Sequence, residues 1–113
     1  MQIIDKNISL LELKNMAEKM FGGLVKAVVD VEKEIMVVDG ELHADEECLL
    51  LEHGSKQAHL LGVNIYPEVA DDNWVEFDSM INLRPSQSNK SRGVDDPQMQ
   101  ERIRKIVNRL VTK

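Results

Sequence analysis

Leu24-Val-Lys-Ala-Val-Val-Asp-Val31, followed by Ile35-Met-Val-Val38 and then Asp39-Gly40, is the stretch on which the fold turns. The first run is dense in β-branched residues. Val25, Ala27, Val29 and Val31 alternate with Lys26, Val28 and Asp30, so it reads as a strand with two different sides. Ile35–Val38 reads as a second strand, and Asp39-Gly40 is the dipeptide of a two-residue hairpin. On the N-terminal side, Gln2–Ile4 has the makings of a short strand. Ser9-Leu-Leu-Glu12 has the spacing of a capping box, and Leu10, Leu13, Met16, Ala17 and Met20 recur at helical intervals. This predicts a helix over about 9–21, ended by Gly22-Gly23.

On the C-terminal side, Glu41–Leu51 supports two readings. Ala44, Cys48 and Leu51 fit a helix ending at Gly54. The preferred reading has strands instead, with Leu42-His-Ala pairing back across Asp39-Gly40 and Cys48-Leu-Leu-Leu51 buried. Leu60–Tyr66 is a strand stopped by Pro67, and Trp74–Leu83 alternates as the longest strand. Asp96-Pro97 opens a last helix over about 97–111, with the aspartate as N-cap and the proline in the first turn. Its apolar stripe is Ile103, Ile106, Val107 and Leu110. Short connections between successive strands predict an α+β fold. Residues 1–113 form one domain with a mostly antiparallel sheet of about five strands, and two amphipathic helices cover one face.

Charge divides the chain. Arg84, Arg92, Arg102, Arg104 and Arg109 are all of its arginines. From Arg84 to Lys113 there are 8 basic and 3 acidic residues, or +5, and before Arg84 there are 6 and 17, or −11. The net −6 argues against wholesale nucleic-acid binding, although Arg102, Arg104, Lys105 and Arg109 lie along one helix. No apolar run reaches the roughly 20 residues of a membrane span, and the first residues lack the pattern of a signal peptide. The single Cys48 suits a reducing cytoplasm, and the leucines beside it predict a buried, quiet thiol.

Several segments together carry a family resemblance: Lys26-Ala-Val-Val-Asp-Val31, Gly40-Glu-Leu-His-Ala-Asp-Glu-Glu47, Gly54-Ser-Lys-Gln57, Gly62-Val-Asn-Ile-Tyr-Pro67, Asp78-Ser-Met-Ile-Asn-Leu-Arg-Pro-Ser-Gln87 and Ser91-Arg-Gly-Val94. With these the chain resembles an uncharacterised prokaryotic family, a domain of unknown function. The resemblance spans nearly the whole chain and implies a single domain, with no activity or cofactor attached. Its pattern has glycine where this chain has Ser88.

The leading candidate site is the polar run Arg84–Gly93. Arg84 and Arg92 could fork onto phosphate or carboxylate oxygens, with Ser86, Asn89, Ser91 and Asn82 as hydrogen-bond partners. It lacks the glycine spacing of a P-loop, and a solvated connector paired with the acidic body is the plainer account. A second candidate is the wet side of the sheet, where Asp30 and Asp78 could hold a hard cation or act in acid–base chemistry. A third is His43, Asp45 and Glu47, which could contact a transition metal but lack a clear further ligand. The expected function is a cytoplasmic binding module for an anionic small molecule or partner. The alternatives are a metal-assisted hydrolase or nuclease acting on a phosphate compound, and a homo-oligomeric structural or regulatory protein; the sheet edge and the oppositely charged segments also suit a homodimer. No cofactor follows from the sequence.

Overall fold

The structure is a computed structural model that describes residues 1–20 and 22–113. Among these residues seven strands and three α-helices follow in the order β1 (Gln2–Ile4), β2 (Ile8–Ser9), α1 (Leu10–Glu18), β3 (Val25–Asp30), β4 (Ile35–Val38), α2 (His43–Glu52), β5 (Leu60–Ile65), β6 (Val75–Glu76), α3 (Pro97–Leu110) and β7 (Val111–Thr112). Five strands form one antiparallel sheet in the order β1-β4-β3-β5-β6, and β2 pairs with β7 in a separate parallel pair. The α+β architecture expected from the sequence is present.

β3 lies at the centre and is buried on both faces. Val25, Ala27, Val29 and Val31 join Met36, Val38, Val63 and Ile65 in a core closed by Leu13 and Ala17 of α1 and by Ile103, Ile106, Val107 and Leu110 of α3. Both helices begin as the sequence indicates. Ser9 Oγ accepts the Glu12 N–H, and Asp96 Oδ1 accepts the Gln98 N–H ahead of Pro97. α1 stops at Glu18, short of the expected end at 21, and Phe21 lies outside the described residues.

Residues 43–52 are helical, which corrects the preferred strand reading. Their leucines do not line a strand. Leu50 of α2 packs with Val28, Val37 and Leu60 on the opposite face of the sheet, so that face is not simply wet. Cys48 is exposed on the outer side of α2, not buried as its leucine neighbours suggested. The Asp39-Gly40 signal also has another use. The β3–β4 hairpin turns at residues 31–34, where Glu34 adopts φ 57° and donates to the Asp30 carbonyl. Asp39 instead uses a left-handed φ of 66° to redirect the chain into α2. The expected strand Trp74–Leu83 is only two residues long. After Glu76 the chain leaves the sheet through a 3₁₀ turn at Met80–Asn82.

Candidate functional site

β5 is nevertheless paired past Glu76, through a side chain. Asn82 is fully buried, and its Oδ1 accepts the Gly62 N–H at 2.8 Å while its Nδ2 donates to the Gly62 carbonyl at 2.9 Å. One amide group thus replaces a strand residue. Its Nδ2 also donates to the Arg92 carbonyl at 3.0 Å, which holds the far end of the polar run against the sheet. Gly62 has no room for a side chain: a Cβ there would lie 2.6 Å from Ser79 Oγ and 3.1 Å from His43 Cδ2.

Most polar residues of Arg84–Gly93 hold the run together. Asn89 donates through Nδ2 to the carbonyls of Asn82, Ser91 and Gly93 and accepts the Asp95 N–H. Ser91 Oγ donates to Asp95 Oδ1, and the Lys90 N–H donates to Asp95 Oδ2. Arg84 turns away from solvent and pairs with Glu47 of α2 at 3.0 Å, with only 11% and 14% of the two side chains exposed. Ser86 stays on the surface with no hydrogen bond from its side chain among the described residues. Of the expected anion contacts, Arg92 is the one left with an outward charge. Its Nε pairs with Asp78 Oδ1 at 2.8 Å, and about half of each side chain is exposed.

Ser88 sits at the C-cap of a short 3₁₀ turn with φ 64°, a conformation that disfavours residues bearing a Cβ. Ser88→Gly is expected to raise stability by up to about 1 kcal/mol, measured by urea unfolding. A loss of stability would show that the hydroxyl or the lower chain entropy of serine matters more.

The two aspartates of the second candidate do not meet. Asp30 ends β3 opposite Leu60 and is fully buried. Its Oδ1 accepts the N–H groups of Glu32 and Lys33, and its Oδ2 accepts Ser55 Oγ at 2.7 Å. These bonds fasten the β3–β4 turn to the loop after α2. Asp78 lies beside Asn64, which is paired with Lys26 four residues away along β3, a separation on the order of 13 Å. The third candidate is dispersed by α2. His43 contacts the Val63 carbonyl, Glu47 pairs with Arg84, and Asp45 is exposed. No cluster of three or more His, Cys, Asp or Glu able to hold a metal occurs among the described residues. The basic residues of α3 mostly serve docking. Arg102 donates to the Val31 carbonyl, Arg109 to Glu34, and Arg104 stacks over Phe77 at 5.0 Å.

What the structure does assemble is a cleft of about 290 Å³ where α2 stops covering the sheet. Lys26 and Asn64, cross-strand partners on β3 and β5, form its floor. The first turn of α2 supplies Leu42, His43 and Ala44, the 78–81 turn supplies Asp78 to Ile81, and Arg92 closes the side. Leu42 at the N-cap offers no side-chain bond, and among the described residues nothing accepts from the N–H groups of His43 and Ala44. His43 Nε2 lies 2.8 Å from the Val63 carbonyl, which can only accept, so Nε2 carries the hydrogen and Nδ1 is a bare acceptor. Burial holds the imidazole below its ordinary pKa, and Lys26 and Arg92 push the same way, so the ring is neutral at pH 7. Asn64 donates through Nδ2 to Glu76 and to the Asp78 carbonyl, while its Oδ1 has no partner among the described residues.

Lys26, His43 and Asn64 each stood in the sequence, but nothing local ties them together. Their convergence depends on α2 ending its cover over Gly62.

α2 carries a second buried ionisable group. Glu46 Oε2 accepts the Gly40 N–H at 3.0 Å, and a Cβ on Gly40 would lie 2.5 Å from Glu46 Cγ. Burial pushes its pKa up to about 9, against the lowering effect of the Gly40 bond and of Lys26. The native state therefore holds a proton that the unfolded chain releases near 4.5, and stability falls as pH rises from there toward 9. Glu46→Gln, neutral throughout, is expected to be more stable than the parent at pH 8 by about 1–3 kcal/mol, with the advantage vanishing near pH 4. Urea unfolding across pH 4 to 9 measures it. Equal stability at pH 8 would show that Glu46 is ionised in the fold.

Among the described residues no helix is long and apolar enough to cross a membrane. Comparison with curated proteins and with solved structures gave no match. The chain matches one family over residues 2–110, and so belongs to the family described as protein of unknown function (DUF5674).

Proposed function

We propose that the protein is a binding module for a small anionic ligand, seated in the cleft at the start of α2. The observation that carries this reading is the convergence of Lys26 and Arg92 on the uncapped N–H groups of His43 and Ala44. Two cations and two free backbone donors complement carboxylate or phosphate oxygens. Lys26 Nζ uses one hydrogen on the Glu41 carbonyl at 3.0 Å and keeps others. Arg92 holds Asp78 through Nε, which leaves its terminal nitrogens to a ligand. On this reading the anion sits beside Arg92 at one end of the polar run, not along the whole of it.

The test is titration of the protein with acetate and inorganic phosphate, followed by backbone amide NMR shifts. Shifts are expected at Lys26, His43, Ala44, Asn64 and Arg92. Arg92→Ala is expected to weaken binding by roughly tenfold or more. Because the Arg92–Asp78 pair is half exposed, the same substitution is expected to cost the fold about 1 kcal/mol or less. Unchanged affinity in Arg92→Ala, or shifts confined to other surfaces, would remove the site.

A further inference from the structure

Resting on that reading of the cleft, we propose that its ligand is an apolar α-amino acid, free or N-acylated. Its carboxylate would meet Arg92 and the first turn of α2, its N–H the unfilled acceptors of the wall, and its side chain the apolar rim. Three independent observations carry this. First, a cleft of about 290 Å³ is at the small end for ligand sites and suits a molecule of amino-acid size.

Second, the rim is apolar and open. Leu42 and Met80 are 56% and 62% exposed, and Leu24 and Ile81 continue the same lining. Large apolar side chains clustered in water around polar groups suit a ligand with an apolar body, which a bare phosphate lacks. Third, the wall asks for a donor as well as an acceptor. Asn64 is 7% exposed, its Nδ2 is occupied, and its Oδ1 has no donor among the described residues. Buried polar atoms are almost always paired, so an unfilled acceptor just beneath a cleft wall is a group that a ligand N–H or O–H would satisfy. His43 Nδ1 is a second acceptor without a partner among the described residues. A carboxylate beside an N–H and an apolar side chain is the pattern of an α-amino acid.

Isothermal titration of the full chain with N-acetyl-L-leucine, L-leucine, N-acetylglycine, 4-methylpentanoate and inorganic phosphate tests the proposal. N-acetyl-L-leucine or L-leucine is expected to bind about tenfold or more tightly than N-acetylglycine, which lacks the side chain. The same margin is expected over 4-methylpentanoate, which lacks the N–H. Whichever of the first two binds better identifies a free or an acylated nitrogen. Leu42→Ala, which trims the exposed apolar rim without adding charge, is expected to shrink the advantage of the leucine compounds over N-acetylglycine several-fold, and an unchanged ratio would overturn the apolar side-chain contact. Phosphate or 4-methylpentanoate binding as well as the leucine compounds would overturn the amino-acid proposal and leave the anion site standing. Failure of all five probes to bind would overturn both.

Discussion

Replacing Arg84 by alanine is expected to lower the free energy of unfolding by about 3–5 kcal/mol, the usual cost of stranding one member of a buried ion pair. Glu47 would be left with 14% of its side chain exposed and no counter-charge at 3.0 Å. The pair joins α2 to the start of the polar run, so its loss should also loosen the run. Urea denaturation measures the effect. The double variant Arg84→Met with Glu47→Leu, which removes both charges and keeps the bulk, is expected to recover most of the loss. A change under about 1 kcal/mol for Arg84→Ala would show that the pair is screened like a surface pair and would return Arg84 to the ligand-binding residues. The contrast with Arg92 is part of the expectation. Two arginines eight positions apart in one polar run have different duties, because one points under α2 and the other into a half-open cleft.

Asn82→Ala is the second large effect, again about 3–5 kcal/mol. The substitution leaves both backbone groups of Gly62 unpaired in a buried place, each costing on the order of 1–3 kcal/mol, and removes one of the two bonds to the Arg92 carbonyl, which keeps the Ser79 N–H. Amide exchange at Gly62 is expected to accelerate strongly relative to Val28, its β3 neighbour. Asn82→Asp sharpens the test. It can still accept the Gly62 N–H, but it sets a carboxylate oxygen against two carbonyls. A comparable loss is therefore expected. A stable Asn82→Asp would show that only the accepted bond matters, and a stable Asn82→Ala would show that water replaces the amide at this edge.

Much of the scaffold was legible because its signals are local. The caps at Ser9 and Asp96, the stripe of α3, and the strands β3, β4 and β5 all follow from spacing and residue type. The misread segments are those where a local signal has a tertiary use. Residues 43–52 contain a leucine cluster that suits a buried strand or a helix equally. What decides is that Leu50 meets Val28, Val37 and Leu60 across the sheet. Residues 74–83 alternate as a strand should, yet Ser79 and Asn82 are needed facing Gly62, so the chain coils into a 3₁₀ turn and pairs through a side chain. Asp39-Gly40 has the residue types of a hairpin, and the left-handed backbone they favour is spent on entering α2.

The site divides in the same way. The sequence by itself determined that donors and cations crowd into residues 84–93, and that His43 and Asp78 stand as candidates, while Lys26 and Asn64 were only strand positions. It could not say which charges would be consumed inside the fold. A side chain's availability depends on neighbours distant in the chain: Glu47 takes Arg84, Ser55 takes Asp30, and Asn82, Ser91 and Gly93 take Asn89. Only the tertiary structure decided that α2 begins over Gly62 and leaves the Lys26–Asn64 end of the sheet open. Local propensity acts over a few residues, whereas a cleft is the space left between elements, and its shape is set by where their packing ends.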